Sequence, residues 1–141
     1  VKLFLDASVA LAASGQKTGA SRGIFDLAPA MGWELQASNY VLQEIAANLN
    51  RFPPVAAKEW PALAARLSVV RDLTCFDYAA VFSPSKDRPV LFTAAGWSDV
   101  LLTFDRQHFG RFFGSGFYSL RVSTPGDFFV AERKAGRLLL P

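Results

Sequence analysis

The chain has 141 residues, half of them apolar and thirteen of them Phe, with 19% charged, which is the balance of one folded domain with a substantial core and excludes a disordered chain. Its formal charge of +3 comes from fifteen scattered basic residues; this permits a polyanionic partner but marks no clustered nucleic-acid surface. The single cysteine, Cys75, excludes an internal disulfide and fits a reducing compartment, and among Thr74, Phe76 and Tyr78 it reads as a small core filler.

In chain order, residues 2–5 read as a buried strand closed by Asp6. Lys2, the apolar residues after it and a following Ala-Ala-Ser imitate a secretory leader, but Asp6 interrupts the stretch and leaves it too short. Residues 7–14 continue as a helix ended by Gly15, and 16–21 as a loop. Residues 23–31 predict a helix and 33–37 a second strand. Ser38 or Asn39 caps the next helix, whose apolar positions are Val41, Leu42, Ile45, Ala46 and Leu49. Arg51-Phe52-Pro53-Pro54 ends it; 55–67 is helical, with Pro61 kinking it or starting a new helix, and 68–71 is a third strand. Asp87 opens a helix to residue 96, with Pro89 in its first turn, then come strands at 99–103 and 120–123. Thr124-Pro125-Gly126-Asp127 starts a last helix through Glu132.

Strands alternating with helices predict an α/β fold: a central, mainly parallel sheet of about five strands flanked by helices, spanning residues 1–141 as one domain. No run approaches the roughly 18 apolar residues of a membrane span, so a soluble cytoplasmic protein without membrane contact is expected.

Four carboxylates fall at the ends or starts of these elements. Asp6 and Asp105 follow strand ends, Glu44 lies on the flank of a helix's apolar stripe, and Asp87 opens a helix. If the first and fourth strands are neighbours, Asp6 and Asp105 face one crevice at the carboxyl ends of the sheet. Converging carboxylates repel one another unless a cation neutralises them, and oxygen donors of this kind suit Mg2+ or Mn2+. With His108 the only histidine, a metal and water can do the work of a nucleophile and base. Singly, each residue has a plain structural reading: Asp6 and Asp87 as caps, Asp105 as a turn residue, Glu44 as a solvated helix side chain.

Several segments carry a resemblance in the same order. Phe4-Leu5-Asp6-Ala7-Ser8, then Ser38-Asn39-Tyr40-Val41-Leu42-Gln43-Glu44-Ile45, Lys86-Asp87-Arg88-Pro89-Val90-Leu91, Ser98-Asp99-Val100-Leu101-Leu102-Thr103-Phe104-Asp105-Arg106 and Ser123-Thr124-Pro125-Gly126-Asp127-Phe128-Phe129 span nearly the whole chain. Together they resemble the PIN-domain ribonucleases, and within them the VapC-type toxins of toxin–antitoxin pairs. The resemblance implies a three-layer PIN-like fold and metal-dependent endoribonuclease activity with Mg2+ or Mn2+. It implies Asp6, Glu44, Asp87 and Asp105 as the metal-binding, catalytic quartet, with Ser8 and Thr103 as supporting hydroxyls and Asp99 as a supporting acid. It also implies an RNA substrate, products with 5′-phosphate and 3′-hydroxyl ends, a small antitoxin partner and a homodimer. Lys17, Arg22, Lys86, Arg88 and Arg106 lie in or near the loops expected at the acidic end and are candidates to hold RNA phosphates.

Phe104 departs from the pattern, filling a place where many relatives carry Gly or a polar residue. The resemblance assigns no role to the aromatic segment 109–118; its Phe109, Phe112, Phe113 and Phe117 read as core or dimer interface, with base stacking the lesser alternative. Gly114-Ser115-Gly116 lacks the lysine and helix of a phosphate loop and reads as a turn. The rival within the fold is a catalytically degenerate PIN-like module that binds RNA or protein. A phosphoacceptor receiver domain would want an acidic pair after the first strand and a lysine after the fifth; only Asp6 and Arg121-Val122-Ser123-Thr124 stand there. A phosphotransferase of the Asp-x-Asp type is excluded by Ser8.

Overall fold

The apolar runs pair into one sheet because each is too continuous to leave either face in water. A computed structural model describes residues 1–73 and 88–138. In it β1 (Lys2–Leu5), β2 (Glu34–Ser38), β3 (Ser68–Val70), β4 (Val100–Leu102) and β5 (Arg121–Ser123) form a parallel sheet in the order β3-β2-β1-β4-β5. β1 is the centre, with Leu3, Phe4 and Leu5 opposite Val100, Leu101 and Leu102 of β4. The chain builds outward from β1 to β3, then returns to β1's other side for β4 and β5. The reversal lies between β1 and β4, which distinguishes this sheet from the flavodoxin-like order 2-1-3-4-5.

The described helices are α1 (Ala7–Gly15), α2 (Ala20–Met31), α3 (Asn39–Asn48), α4 (Pro54–Ala64), α5 (Arg88–Trp97), α6 (Arg106–Phe109) and α7 (Pro125–Lys134). Strand alternation sorts them into layers. Leu3, Leu5, Val100 and Leu102 pack with Ile24 and Phe25 of α2, Leu63 of α4 and Phe128 of α7. Phe4, Leu101 and Val122 pack with Val41 and Ile45 of α3, Val90 and Leu91 of α5, and Phe109, Phe112 and Phe117. Each fully buried Leu or Phe contributes roughly 1.5–3 kcal/mol, so these two clusters hold the three layers together. Helix α1, apolar all round, supplies Ala10 and Leu11 to one cluster and Val9 and Ala13 to the other.

The boundaries differ from the sequence expectation in places with physical causes. Helix α2 starts at Ala20, because Gly19 takes φ +104° and turns the chain earlier. Pro61 lies inside the single helix α4, where Ala57, whose carbonyl it frees, is exposed to water. Trp33 and Asp99 stand just before β2 and β4. Helix α7 runs past Glu132 to Lys134. Buried Glu132, 3% exposed, receives Arg137 Nε and Nη2, both at 2.8 Å, and that guanidinium holds its carboxyl below the usual range. Helix α6 had no counterpart in the hydrophobic pattern; Asp105 initiates it by accepting from the His108 amide at 3.0 Å.

One turn before β5 depends on glycine. Gly116 has φ +74°, and a Cβ there would lie 2.7 Å from the Leu120 carbonyl oxygen. Gly116→Ala is expected to destabilise the chain by about 1–3 kcal/mol, read as a lowered denaturant midpoint; an unchanged midpoint would mean the turn is not formed as described.

Candidate active site

Asp6 ends β1 at the point where the sheet reverses its order, the place where open α/β sheets leave a crevice. Its amide continues the sheet by donating to Leu102 O at 3.0 Å, so the residue is fixed against the end of β4. Its side chain turns into α1 and accepts from the Ala7 amide at 2.8 Å. Asp6 therefore does cap the helix; the capping oxygen is Oδ1, and Oδ2 faces β4.

There the Thr103 hydroxyl donates to Asp6 Oδ2 at 2.6 Å, and Ser8 Oγ donates to the same oxygen at 3.2 Å. Each hydroxyl also accepts from the β4 extension. Thr103 Oγ1 takes the Asp105 amide at 3.0 Å, and Ser8 Oγ takes the Phe104 amide at 3.2 Å. These bonds tie the turn after β4 to the end of β1. Asp105 in turn meets His108, whose Nδ1 lies 2.7 Å from Oδ2 and whose amide reaches Oδ1. With its proton on Nδ1, the ring orients the Asp105 carboxylate. Sequence reasoning gave His108 no such part; the three-residue spacing within α6 could have suggested it only once that helix was known.

Asp6 is only 7% exposed. Burial pushes its carboxyl above the usual range; hydrogen bonds from Thr103, Ala7 and Ser8 oppose the shift, and the nearby charge of Asp105 adds to it. Its hydrogen-bond partners among the described residues are all neutral. A buried carboxylate with a second acid nearby and no cationic partner is a place where a divalent ion relieves an electrostatic penalty. The donors are hard oxygens, and Mg2+ commonly takes only one or two carboxylates, completing its shell with water and substrate phosphate. Asp6 and Asp105 fit that demand.

The rest of the expected set is distributed differently. Glu44 is half-buried in the middle of α3, the helix leaving the carboxyl end of β2. Among the described residues no three Asp, Glu, His or Cys side chains converge as an ion-binding group, so Glu44 is not brought together with Asp6 and Asp105 there. Asp87 and Lys86 lie outside the described residues, as does Cys75. Asp99 stands at the opposite end of the sheet: its carboxylate accepts the Lys2 amide at 2.8 Å and its backbone joins β1 to β5. An acid immediately before a strand must sit a strand's length from the groups that follow it.

The basic candidates divide as well. Lys17 pairs with Glu59 at 3.0 Å, and Arg22 approaches Asp26 and Glu59. Arg88 begins α5, which runs toward the start of β4, so this exposed residue lies toward the carboxyl ends of the strands. Arg106 follows Asp105 directly, pairs with Asp127 at 3.4 Å and lies 4.5 Å from the centre of the Phe113 ring. Asp72 accepts the Tyr40 amide at 3.2 Å and so serves the start of α3, where Ser38 makes no capping bond.

A cavity of about 190 Å³ lies beside β5, bordered by Gly114, Ser115, Gly116, Arg121, Val122 and Ser123. Another of about 130 Å³ lies against α2, between Phe25, Ala28, Trp33 and Arg66. Neither contains Asp6 or Asp105, so the site is assigned by its chemical groups rather than by concavity. No helix among the described residues is long and apolar enough to cross a membrane.

No protein-family model matches the chain, and no curated protein matches it. Among solved structures it is similar to VapC20 of Mycobacterium tuberculosis, described as a sarcin-ricin loop cleaving toxin. The match covers 84% of this chain and 98% of that one, with a TM-score of 0.50 and 19% sequence identity. At that identity the likeness is one of fold: the chain has a PIN-like α/β fold, with helices on both faces of a five-stranded parallel sheet.

Proposed function

We propose that this chain is a metal-dependent endoribonuclease that hydrolyses RNA phosphodiester bonds, and that it is the toxin of a VapBC-type pair, restrained by an antitoxin protein and acting as a homodimer. The observation that carries the reading is the buried Asp6 carboxylate, raised by its burial and set with Asp105 on the shared Thr103 hydroxyl where the sheet order reverses. The shared fold of a toxin described as cutting the sarcin-ricin loop, and the ordered motifs of the sequence, support the same class.

In this reading Asp6 and Asp105 hold Mg2+ or Mn2+, with Glu44 and Asp87 as the further acids that the family resemblance implies. A divalent ion held there would supply polarisation of a phosphate oxygen and a water able to act as nucleophile near neutral pH. Thr103 and Ser8 fix the Asp6 carboxylate, while His108 fixes that of Asp105, so the oxygens need little rearrangement during reaction. Arg106 and Arg88 supply positive charge for substrate phosphates. Products carry 5′-phosphate and 3′-hydroxyl ends.

The test is cleavage of RNA by the purified chain with Mg2+ or Mn2+. Chelation with EDTA is expected to stop it and either ion to restore it, with RNA ends sequenced to define the cut. Cleavage that survives chelation would exclude the reading. A second reading, a non-catalytic RNA- or protein-binding module, is favoured by one observation: among the described residues only two acids meet. Calorimetric titration separates the two, since the nuclease takes up Mn2+ in an Asp6-dependent way and the module does not.

A further inference from the structure

Thirteen phenylalanines in one domain invite the question of which serve the core. Phe109, Phe112 and Phe117 are buried together against the sheet, and Phe113 is half-buried beneath Arg106. These rings are occupied by packing and cannot receive a base without unfolding the segment. Phe104 differs: its residue is 45% exposed, although Thr103 before it is fully buried.

Its backbone is held on both sides. The Phe104 amide donates to Ser8 Oγ, its carbonyl accepts the Arg106 amide at 3.0 Å, and the next amide, that of Asp105, donates to Thr103 Oγ1. Ser8 and Thr103 are the two hydroxyls that hold Asp6. The ring thus starts from a backbone position locked to the hydroxyls that hold Asp6, while much of the residue's surface stays in water. A lone exposed aromatic is ordinary on a protein surface; one pinned to the groups of a phosphodiester site has a specific use. Arg106, two residues on and itself exposed, adds a cation whose pairing with Asp127 at 3.4 Å an RNA phosphate can displace.

We propose that Phe104 is the base-stacking, specificity-determining residue of the site. It takes face-on the unpaired base of a nucleotide flanking the scissile phosphate, so the substrate is RNA that presents a splayed, single-stranded base, and a fully paired duplex is refused. This inference rests on the ribonuclease reading above for the word scissile, but its test does not require cutting.

A short unpaired RNA carrying 2-aminopurine at successive positions is titrated into the wild-type chain in EDTA and into Asp6→Asn. Binding is expected to quench one or two adjacent positions. Phe104→Ala loses that quench and binds roughly five- to a hundredfold more weakly, while Phe104→Trp restores both. Mn2+ affinity of Phe104→Ala, with Asp6 intact, stays at the wild-type value, which separates a lost stack from a disturbed turn. Equal quenching and affinity in Phe104→Ala overturn the proposal. A Phe104→Ala effect confined to the oligomeric state of the RNA-free chain also overturns it, because the ring then serves a protein interface. Quenching that depends on Phe104 in a chain that never cuts RNA leaves the stacking role standing and removes the nuclease reading instead.

Discussion

Asp6→Asn is expected to lower metal-dependent RNA cleavage by more than roughly a hundredfold and, in EDTA, to raise the melting temperature. Loss of an outer-shell partner alone typically costs 10–100-fold in metal affinity or activity, and Asp6 is assigned as a ligand itself. The rise in stability follows from the burial of the carboxylate. Its folded pKa lies above its unfolded value, so the folded state binds the proton more tightly. The wild type therefore loses stability as pH climbs from the unfolded carboxylate pKa through the raised folded one, as a charge comes to stand in a desolvated place. Asparagine keeps the acceptor for the Ala7 amide, fits the same space and carries no charge; its Nδ2 donates where Oδ2 accepted, so the Thr103 and Ser8 hydroxyls turn to receive it. The pH dependence of unfolding should flatten in the variant over that window. Adding Mn2+ should then stabilise the wild type and not the variant. A variant that unfolds, or that melts below the wild type in EDTA, would show that the charge is not a burden in the folded state.

Thr103→Val is expected to weaken Mn2+ binding and cleavage by roughly 10–100-fold in a protein of unchanged shape. Valine fills the same volume but cannot donate to Asp6 Oδ2 at 2.6 Å, nor accept the Asp105 amide. The Asp6 carboxylate and the Asp105 backbone lose their common partner together. The Thr103 hydrogen bond lowers the Asp6 pKa, so removing it moves that pKa further up, and the acid limb of the pH–rate profile shifts to higher pH. The orphaned Asp105 amide adds a stability cost of about 1–3 kcal/mol. Thr103→Ser keeps the hydroxyl and should recover most of the affinity. Calorimetry of Mn2+ binding beside a pH–rate profile checks both parts; an acid limb that stays at its wild-type pH in Thr103→Val would mean that this hydroxyl does not tune Asp6.

Much of this arrangement was legible before the fold. Leu3-Phe4-Leu5 and Val100-Leu101-Leu102 announce strands buried on both faces, and an acid after each points to the carboxyl edge of the sheet as the candidate site. The family resemblance singled out the hydroxyls of Ser8 and Thr103; that both donate to Asp6 Oδ2 came from the fold. Other features were not legible. The family resemblance implied Asp99 as a supporting acid just before the fourth strand, yet that strand carries it to the opposite end of the sheet from Asp105. Lys17 and Arg22 stood as candidates for RNA phosphates; that Glu59 of a distant helix meets both was not visible in the sequence. Helix α6 is one turn long, too short to show a hydrophobic period, and so the His108–Asp105 contact within it stayed hidden.

By itself, the sequence determined the local alternation of buried strands and amphipathic helices, and with it the α/β class, because burial on two faces or on one stripe is written in the spacing of apolar residues. Only the tertiary structure decided which strand ends meet. Strand order depends on how distant segments pack, and the pairing of β1 with β4 is what turns Asp6, Ser8, Thr103 and Asp105 from separate turn and cap residues into one hydrogen-bonded site.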